Sequence, residues 1–570
     1  MGEIPNGVVN GSDRSKYRSG YQIREEPIHT RRPLRVICMG AGYSGILLGI
    51  IWKQRLRQRN VELVIYERNE DIGGTWLENR YPGCQCDIPA HNYAYSFEQN
   101  AEWPNYYATS EQIYDYLKKT CNKYGVEKCI RFGHSITAAK WEEADGKWIV
   151  EVQGKGSAFE DRCDVFVNAG GVLNNWKWPD VRGIESYKGK LVHSANWDQE
   201  YDFKGKRVAI IGVGSSGIQI VPKIADAPGI NEPTDNDPDM DESYNYAPHV
   251  IEKFRSDPTA CQDHCRSLID RRITNFKRTH TASETQAAAR NLFTANMKER
   301  LGDSPKGRRL AEMIIPDFPV GCRRQTPGPG YLEALVKDHV DTRWDDIDHF
   351  TEKGIFTKSG EELEFDAVVC ATGFDTTFMP RFPITGRNGA DLAKEWSDVP
   401  KAYFGMTVPG FPNYFTFIGP SSPISNGSLV QGIQMMGVYI AKCIDKIQSE
   451  CIKSLTISHG AMDDYFEHVQ EFLERTVWVA GCRSWYKRGT TDGPVVAIYG
   501  GTSFHYIEAL RNPRWEDYDI DLIPMKKPNR FAYLGNGFTQ RETDKGSVAD
   551  TQTLSFDEYW DLFNLPELYD

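Results

Sequence analysis

The first regular feature along the chain is Leu34-Arg35-Val36-Ile37-Cys38-Met39, apolar at every position but one. A run this short and this apolar predicts a strand buried on both faces. It passes through Gly40-Ala41-Gly42-Tyr43-Ser44-Gly45 into Ile46, Leu47, Leu48, Ile51 and Trp52, which predict an apolar helix. A second strand, Val61-Glu62-Leu63-Val64-Ile65-Tyr66-Glu67, follows and completes a βαβ unit. Residues 1–32 are polar without a period and predict a flexible N-terminal arm. Alternation at Trp141, Trp148, Ile149, Val150 and Val152 predicts an antiparallel crossover, and Asp164 to Gly171 reads as a returning buried strand. A second nucleotide-type unit opens at Arg207-Val208-Ala209-Ile210-Ile211. Residues from about 245 to 315 read as helices, Phe365 to Cys370 as a strand, and Leu429 to Ile447 as a helix. The pattern predicts an α/β protein with two Rossmann-like dinucleotide-binding domains and a helical insertion. The expected division is 33–185 for the first part of one dinucleotide-binding domain and 186–365 for a second such domain carrying the insertion. Residues 366–570 are expected to hold the second part of the first domain and the C-terminal region.

The glycines between strand and helix carry the first chemistry. Gly40 permits a tight turn, Gly42 lets the backbone approach a pyrophosphate, and Gly45 lets helix and strand pack closely. The helix N-terminus then presents unpaired N–H groups to the phosphates. Glu67 stands 22 residues after Gly45, close to the about 20 expected for the acid that binds the ribose hydroxyls. Its charge repels a 2′-phosphate, so this site favours FAD or NAD over NADP. Gly73-Gly74-Thr75-Trp76 follows, and a glycine pair beside a flat aromatic suits the face of an isoalloxazine ring, which points to FAD.

Gly212-Val213-Gly214-Ser215-Ser216-Gly217, followed by Ile218-Gln219-Ile220, is a second phosphate-binding turn by the same logic. Gly212, Gly214, Ser215, Ser216, Gly217 and Gln219 are its candidate cofactor residues. Two such sites in one chain imply a flavin reduced by a nicotinamide. The second unit differs from the first where its next strand is due. Asn231 to Glu242 holds six acids, two prolines and no basic residue. Proline and aspartate are poor in central strands, and no arginine there can meet a 2′-phosphate. The expectation is a second unit without its second strand, and a weakened hold on the adenosine end of its nucleotide.

Composition narrows the surroundings of this chemistry. The net charge of -12 over 570 residues gives no reason to expect nucleic acid as a partner. No apolar run is long enough to span a bilayer, so no membrane partner is expected and the expected compartment is cytoplasmic. The 13 cysteines show no paired metal-ligand spacing. They read as reduced and mostly structural, with no metal site.

Between the two turns stands Tyr187-Lys188-Gly189-Lys190-Leu191-Val192-His193-Ser194-Ala195-Asn196-Trp197. It resembles the FxGxxxHxxxW fingerprint of type I Baeyer–Villiger monooxygenases, with Tyr187 in place of the usual Phe. The resemblance runs from about residue 33 to 510. It includes Gly73 to Trp76, Tyr81-Pro82-Gly83 with Cys86-Asp87, Gly321-Cys322-Arg323-Arg324, Ala371 to Phe374, and Cys482 to Lys487. Several of these segments look like those of fungal members acting in secondary metabolism. The resemblance implies an enzyme that uses FAD, NADPH and O2 to insert an oxygen atom next to the carbonyl of a small-molecule ketone, giving an ester or lactone. It implies that Arg324 is the active-site arginine and Asp87 the carboxylate that orients it beside the flavin. It implies that Arg323 helps hold NADPH. His193 and Trp197 are implied to couple the domains structurally, while Trp485 and Tyr486 fit either a substrate pocket or a core. Two alternatives stand beside this reading: oxidation of nitrogen or sulfur centres, and a flavin-binding homologue with impaired NADPH use and lost turnover.

Overall fold

The computed structural model describes residues 20–226, 240, 244–424, 427–540 and 542. Its central layer is a five-stranded sheet in the order Tyr414–Thr416, Val165–Asn168, Leu34–Met39, Val61–Glu67, Ile130–Phe132. All four pairings are parallel. The helix Tyr43–Ile51 packs on this sheet and against the long helix Leu429–Ser449. The apolar run 34–39 is continuous because the strand is covered on both faces: Val36, Ile37 and Cys38 are fully buried.

A second parallel sheet has the order Lys190–His193, Ala367–Cys370, Val208–Ile211. The strand Ala367–Cys370 is its middle member. Among the described residues Val208–Ile211 has no neighbour on its outer edge. All four of its residues are only half-buried, and Val213 just beyond is 66% exposed. The expected second strand would cover this edge; the acidic segment 231–242 lies outside the described residues except for Met240.

The alternation around 141–153 is a hairpin of Ser135–Glu142 and Lys147–Gln153, with Trp148, Val150 and Val152 buried on its inner face. The region 245–315 forms the helices Pro248–Ser256, Pro258–Thr274, Glu284–Leu301 and Pro305–Ile314. Residues 20–32 are not a free arm. The Ile28 N–H donates to Phe538 O at 2.8 Å and Arg32 pairs with the buried Asp164 at 2.8 Å, so this polar stretch is anchored; residues 1–19 lie outside the description. The expectation of reduced cysteines needs one correction: Cys322 and Cys482 form a disulfide. They are 160 residues apart, and no local spacing announces the pairing. The other eleven cysteines are buried thiols. No helix among the described residues is long and apolar enough to cross a membrane.

Candidate active site

The two glycine turns are built alike. Gly40 has φ +96° and Gly212 has φ +115°, both in the region that L side chains avoid. A Cβ on Gly40 would press on Ala169 O at 2.7 Å, and one on Gly212 would collide with Ala371 O. The third glycines, Gly45 and Gly217, lie so close to the carbonyl oxygens of Gly40 and Gly212 that a Cβ on either would collide. The helices that follow, Tyr43–Ile51 and Ser215–Ile224, start at Gly42 and Gly214 with no side-chain cap. Their first N–H groups therefore point into the cavity unclaimed by a capping side chain, as a phosphate requires.

The first turn has a further wall. Gly74, at φ +52°, opens the short helix Thr75–Glu78, and a Cβ there would stand 3.2 Å from Gly42 Cα. The Gly73 N–H donates to Ala41 O at 3.0 Å. The Gly73–Trp76 segment is thus held directly against the turn, and Trp76 is fixed by its indole N–H to Tyr93 Oη at 3.3 Å. Glu67 is buried at the end of its strand. Its Oε2 accepts the Ala41 N–H at 2.7 Å and its Oε1 the Asn69 N–H at 2.8 Å. Each oxygen keeps a second lone pair for a ribose hydroxyl. Burial raises the Glu67 pKa, and the two backbone donors oppose that. The uncapped helix, the glycine cradle and this acid fit an adenine dinucleotide.

Gln219, read from the sequence as a cofactor residue, also makes contacts within the protein. Its Oε1 accepts the Tyr81 hydroxyl at 2.8 Å and its Nε2 donates to Gln85 O at 3.1 Å. It borders the cavity, but its amide ties the second unit to the 81–85 loop of the first. Ser215 Oγ is 2.7 Å from Thr326 Oγ1, which links the second turn to the arginine segment.

That tie sets the geometry at the junction. Arg324 Nε donates to Asp87 Oδ2 at 2.6 Å, Nη2 to Asp87 Oδ1 at 2.7 Å, and Nη1 to Ile424 O at 2.7 Å. A bidentate fork of this kind is short, charge-assisted and directional. Burial works against the guanidinium charge, but the Asp87 carboxylate outweighs it and holds Arg324 protonated. The Tyr486 hydroxyl is within hydrogen-bonding reach of Arg324; burial pushes its pKa up to about 12, against the pull of the guanidinium. Tyr486 and the Ile424 carbonyl are contacts that sequence reasoning missed, and only the Ser484-Trp485-Tyr486 segment offered a signal. Trp485 and Tyr486 border the cavity while packing on core residues.

One continuous cavity of about 2330 Å³ is lined by both glycine turns, Glu67, Gly74, Thr75, Trp76, Asp87, Arg323, Arg324 and Tyr486. Arg323 is exposed at its rim. His193 and Trp197 stand aside from it. His193 is 1% exposed, stacks on Trp176 at 4.5 Å and contacts Thr372 Oγ1 at 3.3 Å. Burial lowers its pKa to about 4, so the ring is neutral at physiological pH. Trp197 packs on Phe203 at 5.0 Å. Among the described residues no cluster of side chains could hold a metal ion.

A family model described as flavin-binding monooxygenase-like matches residues 34–228. The chain is 38% identical over 545 residues to the FAD-binding monooxygenase moxY of Dothistroma septosporum, covering 92% of this chain and 86% of that one. It is 32% identical over 513 residues to a Baeyer-Villiger monooxygenase of Pseudomonas aeruginosa, covering 87% and 93%. Among solved structures, closed cyclohexanone monooxygenase superposes with a TM-score of 0.73 at 22% identity, over 87% of this chain and 100% of that one. Oxidized steroid monooxygenase bound to NADP gives 0.69 at 25% identity, over 86% and 99%. With its flavin cradle and forked arginine, the chain belongs to the family of FAD-binding and Baeyer–Villiger monooxygenases and is a flavin-dependent monooxygenase.

Proposed function

We propose that this enzyme uses NADPH and O2 to insert one oxygen atom next to the carbonyl of a ketone of fungal-type secondary metabolism. Ketone, O2, NADPH and a proton give ester or lactone, water and NADP+. The observation that carries the reading is the Arg324–Asp87 fork, which stands in the one cavity that both glycine turns open into.

FAD bound along the first turn would take a hydride from NADPH and activate O2. The residues of this chain supply the rest. The helix N-termini at Gly42 and Gly214 neutralise the two pyrophosphates. Gly74, Thr75 and Trp76 form a wall for the flavin ring. Asp87 holds the Arg324 guanidinium in one orientation and keeps it charged. Arg324 then offers fixed N–H donors to negative charge that develops on the carbonyl side, an interaction whose loss costs about 10²–10³ in rate. Tyr486 supports the same guanidinium. Trp485 and Tyr486, beside each other at 4.8 Å, exclude water from that side. Arg323 at the rim is the residue assigned to NADPH by the resemblance, and it is a basic group where the acidic 231–242 segment supplies none.

Two measurements test this. Mass spectrometry of products from ketone and thioether panels is expected to show a gain of one oxygen as ester; sulfoxide alone would place the enzyme with nitrogen and sulfur oxidation. Stopped-flow reduction of bound FAD by NADPH and NADH is expected to show weak NADPH binding, and tight NADPH-selective reduction would contradict that part of the reading.

A further inference from the structure

The chain carries a net charge of -12, yet several arginines border its cavity. Arg278 and Arg290 come from the insertion and Arg483 from the segment after the disulfide, and all three border the cavity that holds Arg324. Hydrogen bonds and the disulfide tie all three to one stretch, Asp317–Cys322, which leads straight into Arg324. The Gln286 amide donates to Arg278 O at 2.7 Å and to Val320 O at 2.9 Å, and accepts the Val320 N–H at 3.0 Å. Arg290 Nη1 donates to Asp317 O at 2.5 Å. The disulfide sets the Cα atoms of Cys322 and Cys482 6.4 Å apart, which brings Arg483 against the same stretch. Arg483 Nε donates to Gly489 O at 2.9 Å. Arg290 and Arg483 are therefore held by backbone carbonyls, and neither forms an ion pair with a carboxylate among the described residues. A guanidinium held in this way keeps its charge for a ligand.

NADPH is the first anion to consider, and the geometry places these arginines away from its turn. The end of helix Glu284–Leu301 that approaches the second unit is Arg300, whose Nη2 donates to Gly328 O at 3.0 Å. Gly328 itself lies against Ile218, since a Cβ there would be 2.8 Å from the Ile218 side chain. Arg290 stands ten residues back along that helix, about 15 Å from Arg300 at 1.5 Å per residue. Two aromatic rings, Phe276 and Trp478, lie 6.3 Å apart and border the same cavity.

We propose that Arg290 and Arg483, with Arg278, bind an acidic group on the ketone substrate, so that the enzyme selects a ketone bearing a carboxylate. The inference rests on the assignment of the ketone to the Arg324 side of the cavity. The test uses the FAD-loaded full-length enzyme and two probes, 4-oxo-4-phenylbutanoate and its methyl ester, with binding followed by the absorbance of the flavin. The acid is expected to bind about 10- to 100-fold more tightly than the ester. R290Q and R483Q are expected to erase that preference, and R290K and R483K to restore most of it. Equal binding of acid and ester, or no binding of either, overturns the proposal. A higher KM for NADPH in R290Q or R483Q, with the acid preference intact, assigns the arginines to the nucleotide and also overturns it. Failure of the oxygen-insertion reading would appear separately, as absence of ester from every ketone while the acid preference persists.

Discussion

Replacing Arg324 by lysine separates charge from geometry at the centre of the site. The guanidinium makes three donations, two to Asp87 and one to Ile424 O. A lysine ammonium keeps the charge but cannot span both carboxylate oxygens and the carbonyl from one nitrogen. Side-chain exposures of 28% for Arg324 and 23% for Asp87 place the pair between surface and core. The stability cost is therefore expected at about 1–2 kcal/mol, below the 3–5 of a fully buried pair. Turnover is expected to fall much further, by about 10²–10³, because a donor aimed at developing charge is lost. FAD content should be unchanged, since the flavin cradle is built from Gly40–Gly45, Glu67 and Gly73–Trp76. The assay measures NADPH consumption and ester formation in parallel on enzyme of equal FAD content. Asp87→Asn should lower ester formation through loss of orientation. In the Arg324→Lys background it should add less than it costs alone, with a coupling of about 0.5–3 kcal/mol. Ester formation by Arg324→Lys within about threefold of the parent, or strict additivity of the two substitutions, would refute the assigned roles.

Gly45→Ala forces a Cβ onto Gly40 O, so it should cost about 1–3 kcal/mol and yield protein poor in FAD; Gly217→Ala should retain FAD and slow its reduction by NADPH. Both are read from the flavin absorbance of purified protein and from stopped-flow traces, and equal FAD loss in the two variants would contradict the division of the turns. His193 has a folded-state pKa lowered by burial to about 4. The unfolded state takes up its proton first, near pH 6.5, so the contribution of His193 is present above that pH and falls away as pH drops toward 4, by on the order of 2–3 kcal/mol. Denaturant titrations at pH 7 and pH 5 should show that loss in the parent and not in His193→Phe. Cys322→Ser should cost about 2–5 kcal/mol under oxidising conditions. A reductant should lower the thermal midpoint of the parent and leave that of the variant unmoved.

What was legible in the sequence follows the distance over which each feature is encoded. The turn at Gly40–Gly45 is written within one strand, one loop and one helix, and Glu67 sits at the end of the adjoining parallel strand. Each part therefore announced itself by period or spacing. The contact of Gly74 with Gly42 was only half visible: the sequence marks two glycines, but not that their backbones meet. Gln219 shows the limit of local reading. Its place on the helix after the second turn suggests a cofactor contact, and the fold adds what no spacing shows, amide hydrogen bonds to Tyr81 and Gln85. Asp87 and Arg324 are separated by 237 positions, and Cys322 and Cys482 by 160. No period or spacing relates such pairs, so the fork was reachable only through resemblance and the disulfide was not reached at all. The strand Val208–Ile211 has no neighbour on its outer edge among the described residues, and the segment 231–242, expected to lack a strand, lies outside them except for Met240. Pyrophosphate binding at Gly212–Gly217 rests on described residues, the glycines and an uncapped helix, whereas the expected weakness rests on the acidic sequence of 231–242, so it concerns the adenosine half of NADPH and not its pyrophosphate.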